Sequence, residues 1–301
     1  MTSNAIRSGF VALIGAPNAG KSTLMNQLVG AKVSIVTHKV QTTRAVMRGI
    51  TIHDNCQIVF VDTPGIFAPR RRLDKAMVTT AWGSAKDADI SVCLVDAERG
   101  LTEDLKRIIE QAGNLSPPPV LLINKVDLVQ RETLLELVQK IHEIHAFENT
   151  FMISALNGDG CEDFLNFLSQ TLPEGPYLYP EDQISDLPMR MLAAEITREK
   201  LYLRLHQELP YASHVETEGW HEQKNGSVKI EQVIYVERQS QKKIIIGKGG
   251  ATIKAISTGA RKELSSILEQ EVHLFLFVKV REDWGNDPAR YREMGLEFPT
   301  G

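Results

Sequence analysis

Eight residues, Gly15-Ala16-Pro17-Asn18-Ala19-Gly20-Lys21-Ser22, follow the apolar run Phe10–Ile14 and lead directly into Thr23-Leu24-Met25. A strand that ends in glycines and turns at once into a helix aims backbone N–H groups and the positive end of the helix dipole at one point, where polyphosphate charge can sit. In the pattern G-x-x-x-x-G-K-S, Lys21 would reach the outer phosphates and the Ser22 hydroxyl would hold Mg²⁺. A plain glycine turn explains neither the lysine nor the serine. The stretch Gly15–Thr23 therefore predicts nucleotide binding and commits the chain to an α/β sheet built around it.

With 301 residues the chain is long for a single core and suits two. A hydrophobic share of 43% and a net charge of −4 describe an ordinary globular protein, so any nucleic-acid function needs a local basic surface. Cys56, Cys93 and Cys161 have no metal-ligand spacing and read as reduced thiols. The first residues hold no apolar leader and no stretch has the length of a spanning helix, so the expectation is a cytoplasmic protein that touches a membrane only peripherally.

Short apolar runs alternate with helix-length segments up to about Leu172. Strands are predicted at Phe10–Ile14, Val46–Ile52, Ile58–Asp62, Ile90–Asp96, Val120–Asn124 and Phe151–Ser154, and helices at Lys21–Leu28, near Met77–Ala85, Glu103–Ala112, Arg131–Ala146 and Cys161–Leu172. Alternation of this kind predicts a doubly wound sheet whose ligand lies beyond the carboxyl ends of its strands. Asp62-Thr63-Pro64-Gly65 falls at one such end, where Asp62 can hold Mg²⁺ through water and Gly65 lets a backbone N–H approach the terminal phosphate. At another end stand Asn124-Lys125-Val126-Asp127. The Asp127 carboxylate can accept the two N–H donors of guanine, and adenine would leave it unpaired at a cost of about 1–3 kcal/mol. Ser154-Ala155 would add a backbone N–H to the guanine oxygen. Gln41-Thr42-Thr43-Arg44 lies between the first two motifs, and one threonine should complete the Mg²⁺ shell; the sequence favours Thr43 without deciding against Thr42.

In this order the motifs resemble the translation-factor-like branch of P-loop GTPases. Two positions depart from the Ras pattern. Ile66 follows Gly65 where a water-positioning glutamine would stand, and Pro17 adds bulk where a partner's arginine would enter, so slow intrinsic hydrolysis is expected. Asn18 matches the asparagine by which potassium-activated GTPases hold K⁺ against the phosphates. The resemblance thus implies Lys21, Asn18, Thr43 and Gly65 as the catalytic set.

Residues 176–188, with Pro176, Pro180 and Pro188, read as a linker between a GTPase domain at 1–175 and a smaller domain at 189–301. The second half predicts a helix from Met189 to Leu209, strands at His214–Glu218 and Val228–Arg238, helices at Gln241–Ile246 and Ala251–Leu268, and a strand at Val272–Val280. Asp287-Pro288 suits the start of a short last helix. Between the middle helices stand Gly247-Lys248-Gly249-Gly250. From Arg238 to Lys262 there are seven basic residues and no acidic one. A glycine loop between two helix ends lets backbone amides approach a nucleic-acid backbone and clamp about four nucleotides. Gly247, Lys248, Gly249 and Gly250 with Lys243 and Lys254 are the candidate RNA contacts, and the α-β-β-α-α-β order resembles a type II KH domain.

The linker together with Ala193-Ala194-Glu195-Ile196-Thr197-Arg198-Glu199-Lys200 and Gln241–Lys254 resembles the bacterial Era family. That resemblance implies a monomeric GTP/GDP switch with Mg²⁺ and K⁺, partnered by the 3′ region of 16S rRNA and the small ribosomal subunit, with loose membrane contact. A second reading is a membrane-associated signalling GTPase whose glycine loop contacts a protein.

Overall fold

Cys56–Asp62, Ile90–Asp96 and Val120–Asn124 are each buried without interruption. Runs of that kind are the inner strands of a parallel sheet with helices on both faces. The computed structural model describes residues 5–39, 41–206, 209–282 and 287–298, and the chain divides into two units, Met1–Asp186 with Tyr291–Gly301, and Leu187–Arg290.

In the first unit the strands are β1 (Arg7–Gly15), β2 (Met47–His53), β3 (Cys56–Asp62), β4 (Ile90–Asp96), β5 (Val120–Asn124) and β6 (Thr150–Ile153), in the order β2-β3-β1-β4-β5-β6. Strand β2 runs antiparallel to β3, and the other pairings are parallel. The helices are α1 (Lys21–Val29), α2 (Arg72–Asp87), α3 (Glu103–Ala112), α4 (Arg131–Ile144) and α5 (Cys161–Thr171). One core cluster packs Ile14, Cys93, Val95 and Ile123 against Ala81, Ile109 and Ile141. This is the doubly wound sheet the alternation predicts, and the motifs gather at the carboxyl ends of β1, β3, β5 and β6.

Helix α2 starts five residues before Met77. Asp74 causes this: its Oδ2 accepts the backbone N–H groups of Arg70 at 3.0 Å and Arg71 at 2.9 Å, satisfying donors that the helix start leaves over. The proline-bearing stretch is bonded along its length to the strands. Gln57 accepts the N–H groups of Leu178 and Tyr179 and donates to the Tyr179 carbonyl, Ile50 N–H donates to Ile184 O, and Arg48 pairs with Asp186 at 2.6 Å. The stretch is thus tied first to β3 through Gln57, and residues 184–186 then pair with the outer edge of β2.

The second unit contains α6 (Met189–Arg204), β7 (Ser213–Glu222), β8 (Val228–Val236), α7 (Gln239–Ile246), α8 (Ala251–Ile267) and β9 (Val272–Val280). Strand β8 pairs antiparallel with β7 and parallel with β9. Ile230, Ile234, Val236, Leu274 and Val278 alternate into the core under the helices. Helix α6 stops at Arg204 rather than Leu209, because Leu205 leaves helical geometry and both Leu205 and Leu209 fill the cluster around Ile234 and Ile256. A last helix, α9, spans Pro288–Glu293. Within the first unit, Tyr291 is buried and meets Phe298 edge-on, with the Arg72 guanidinium over the Phe298 ring at 5.3 Å.

Candidate nucleotide and RNA sites

The turn from β1 into α1 has no room for side chains. Gly20 sits at φ 101°, and a Cβ there would lie 2.2 Å from Asn124 Nδ2. Lys21, 6% exposed, points its Nζ at the carbonyls of Gly15 (3.2 Å) and Ala16 (3.1 Å), where phosphate oxygens would be cradled. Burial pushes the Lys21 pKa down, and the nearby Asp62 carboxylate opposes that shift.

Asp62 collects three hydroxyls. Its Oδ2 accepts Ser22 Oγ at 2.6 Å, Ser34 Oγ at 2.9 Å and Thr43 Oγ1 at 3.3 Å, and Ser22 and Thr43 are themselves 2.9 Å apart. Burial raises the Asp62 pKa against the pull of Lys21 and these hydroxyls. Its other oxygen, Oδ1, is buried with no partner among the described residues. Oxygen donors converging on one carboxylate, with an unpaired oxygen left over, fit a hard cation such as Mg²⁺. Ser34 went unseen in the sequence because it sits in no motif; only the fold brings it to Asp62. Thr42 turns elsewhere, bonding Thr37 Oγ1 at 2.6 Å and the Lys39 carbonyl at 2.7 Å.

Thr63, Pro64 and Gly65 are buried, Thr63 Oγ1 donating to the Leu13 carbonyl at 2.7 Å. Ile66 N–H donates to Gly15 O at 3.0 Å, and its side chain joins the core. It therefore offers nothing to orient water. Asn18, with φ 65°, donates from Nδ2 to the His38 carbonyl at 2.8 Å, so the phosphate loop is bonded to the segment that carries Thr43. Asn18, Lys21, Ser22, Thr43 and Gly65 line a cleft of about 370 Å³ that also includes Pro17, Thr23 and Lys125.

Asn124 braces the far side. Buried at the end of β5, it donates from Nδ2 to Ala19 O at 2.8 Å and accepts the Ala155 N–H on Oδ1 at 2.9 Å. Of the Ser154-Ala155 pair expected to give a backbone N–H to the guanine oxygen, Ala155 N–H is thus bonded to Asn124 and Ser154 N–H to Asp159 O at 3.0 Å in this structure. Ser154 is buried and accepts Asn157 N–H. Lys125 pairs with Asp96 at 2.5 Å, and Arg99, two residues into the following turn, reaches Pro17 O at 3.3 Å. Asp96 and Arg99 carry no motif, and the pairing of β4 with β5 is what places them here. Asp127 is exposed and makes no bond among the described residues.

In the second unit, Gly247 breaks α7 and a turn at Lys248–Gly250 leads into α8, with positive φ at Gly247, Gly249 and Gly250. Lys243, Lys248 and Lys254 are exposed and make no ion pair among the described residues. Ile244 beside them is 56% exposed, giving an apolar surface next to the cationic loop. A glycine turn flanked by cations and an apolar wall can hold a phosphodiester backbone and receive unpaired bases.

Comparison with known proteins bears on both sites. Residues 10–125 match the 50S ribosome-binding GTPase family, and residues 208–285 match the KH domain family. GTPase Era of Sinorhizobium medicae is 73% identical over 293 residues, covering 97% of this chain and 94% of the relative. GTPase Era of Brucella suis is 69% identical over 98% of this chain and 94% of its own. A crystal structure of an Aquifex aeolicus Era variant bound to GDP·AlF4⁻ superimposes with a TM-score of 0.91 at 38% identity, covering 96% of this chain and 99% of that one. Era in complex with MgGDPNP and nucleotides 1506–1542 of 16S ribosomal RNA gives the same TM-score, identity and coverage.

Proposed function

The chain belongs to the Era family of GTPases, and we propose that it is a GTP-driven switch whose second unit holds single-stranded RNA near the 3′ end of 16S rRNA during assembly of the small ribosomal subunit. The observation that carries the switch is the meeting of Ser22 and Thr43 on Asp62, which ties the phosphate loop, the Thr43 segment and the end of β3 to one point. The solved Era complex with a GTP analogue and a 16S rRNA fragment supports the RNA partner.

Lys21 neutralises the outer phosphate oxygens, and Ser22, Thr43 and Asp62 would hold Mg²⁺. When bound, that ion would supply Lewis-acid stabilisation of the charge that develops on the phosphates. Gly65 offers its N–H to the γ-phosphate, and loss of that phosphate frees both the Gly65 and Thr43 segments. Asp127 selects guanine, with Asn124 holding the base loop against the phosphate loop at Ala19 O and Lys125 fixed to Asp96. No side chain next to Gly65 positions water, so a further cation would accelerate hydrolysis. We infer that Asn18, which bonds the His38 carbonyl, shares K⁺ with it. Faster turnover in KCl than in NaCl at equal ionic strength supports this, and equal rates exclude it.

We read the protein as a cytoplasmic monomer with only peripheral membrane contact. Cys56, Cys93 and Cys161 are buried unpaired thiols, in keeping with a reducing compartment. Among the described residues no helix is long and apolar enough to cross a membrane.

The decisive experiment measures affinity for a 16S 3′-end oligonucleotide with GDP and with a non-hydrolysable GTP analogue, across a salt series. Linkage requires RNA to tighten the analogue by the same factor as the analogue tightens RNA, and phosphate contacts require a steep salt slope. Equal affinity in the two nucleotide states removes the coupling. A flat salt response assigns the glycine loop to a protein.

A further inference from the structure

The three-stranded sheet of the second unit has one face under its helices and one face bare. On the bare face, β9 presents His273, Phe275, Phe277 and Lys279 in alternation, with Phe275 47% and Phe277 51% exposed. Two half-exposed phenylalanines at neighbouring outward positions of an edge strand are costly to leave in water and are the kind of edge that folds ordinarily guard. Beside them is an open hollow of about 550 Å³, lined by Lys224, Asn225, Ser227, Lys229, His273 and Phe275. Lys229 Nζ stands 5.4 Å from the centre of the Phe275 ring.

The chemistry of this face selects its occupant. No carboxylate lines the hollow. Of the carboxylates around it, Glu231 is held by Lys229 at 2.7 Å, Glu218 by Lys279 at 3.0 Å, and Glu271 lies 3.9 Å from His273. Lys224 makes no ion pair among the described residues, and the Asn225 amide adds donor and acceptor groups at the rim. Two aromatic rings on one strand, with Lys229 over the first and Lys224 nearby, suit a ligand that is flat and anionic by turns, which is the pattern of an unpaired nucleic-acid strand. Alternate residues of a strand lie about 7 Å apart, a spacing that two successive splayed bases can meet. Strand β9 also packs on α7 and α8, which flank the glycine loop, so RNA leaving that loop has only to pass the free edge of β9 to reach these rings.

We propose that Phe275 and Phe277, with Lys224, Lys229 and His273, form a second site for single-stranded RNA that stacks two bases and extends the footprint beyond the glycine loop. The proposal rests on the RNA reading above. In the bound state each base covers one ring, and the cations meet the intervening phosphates.

The test uses the full chain with a GTP analogue and two RNAs read by fluorescence anisotropy, one of about four nucleotides that the glycine loop alone can fill and one of about twelve. Replacing both rings, Phe275→Ser with Phe277→Ser, should weaken the longer RNA about tenfold or more and leave the shorter one unchanged, while Phe275→Tyr with Phe277→Tyr restores the longer. Both positions are half exposed, so the variants should keep the parental melting temperature. Gly249→Asp serves as the control for the loop and should weaken both RNAs. Unchanged affinity for the longer RNA in the serine variant overturns the second site even as the loop reading stands. Loss of small-subunit binding with unchanged RNA affinity would hand the face to a protein and overturn it equally. If Gly249→Asp weakens neither RNA but the serine variant weakens the longer one, the sheet site stands and the loop reading falls.

Discussion

Thr43 Oγ1 lies 2.9 Å from Ser22 Oγ, and both hydroxyls turn to the same Asp62 oxygen. The neighbouring Thr42 hydroxyl is bonded within its own turn. Thr43→Ala should therefore raise the Mg²⁺ concentration needed for half-maximal GTP hydrolysis and lower kcat by roughly tenfold to a hundredfold, since a metal-holding group is lost. Thr42→Ala should change kcat by less than about threefold, the scale of a surface substitution. A Mg²⁺ titration of both variants separates the two, and equal loss would move the role off Thr43.

Asp127 is exposed and bonded to nothing described, so its replacement should not unsettle the fold. Asp127→Asn exchanges an acceptor for a donor at the base. GTP affinity should drop by about 10- to 100-fold, the worth of two misplaced hydrogen bonds, and xanthosine triphosphate should become the better ligand. Competition of the two nucleotides for a fluorescent analogue reads the exchange.

The loop glycines differ in what they forbid. A Cβ at Gly247 would lie 2.3 Å from Thr252 Oγ1 and 2.9 Å from Thr252 N, whereas a Cβ at Gly249 meets nothing within 4 Å. Gly247→Ala should cost about 2–3 kcal/mol, combining strain with a clash. Gly249→Ala should cost only about 1–2 kcal/mol for its left-handed backbone. Thermal melting ranks the pair, and a reversed order would mean the loop is arranged otherwise.

Burial pushes the Cys93 thiol up to about 12, and Cys56 and Cys161 to about 11. The unfolded chain ionises near 9, so it loses these protons first. Their contribution to stability is complete below pH 9 and is lost as pH rises toward 11 and 12. Denaturant midpoints should fall across that window. At pH 8, iodoacetamide should label the folded protein far more slowly than the unfolded chain.

Where one segment holds all the information, the sequence was enough. The phosphate loop, β4, β5 and α3 are set by local periodicity and by turn chemistry, and they stand where the residues predict. Helix α2 begins early because Asp74 reaches back to two N–H groups, and a run of arginines carries no sign of that. Asp96 and Arg99 enter the nucleotide site through strand pairing, and Ser34 through a loop that Asn26 holds, neither of which a motif encodes. Helix α6 shows the opposite case: its apolar spacing continues to Leu209, but the core takes Leu205 and Leu209 in a different backbone geometry. Alternation along β9 assigns Val272, Leu274, Leu276, Val278 and Val280 to one side, but how far the rings on the other side stand in water depends on what the rest of the fold lays over them.

Gln57, Ile50 and Arg48 fasten the proline-bearing stretch as far as Asp186. A cord that could have swung freely over a dozen residues is thus glued down to its last few. Beyond Asp186 the Pro188 carbonyl accepts the N–H groups of Met191 and Leu192, so the stretch passes into α6 with its backbone already engaged. Prolines with one frozen torsion each then lose little further freedom when they are fastened, and the fastening is cheap in chain entropy.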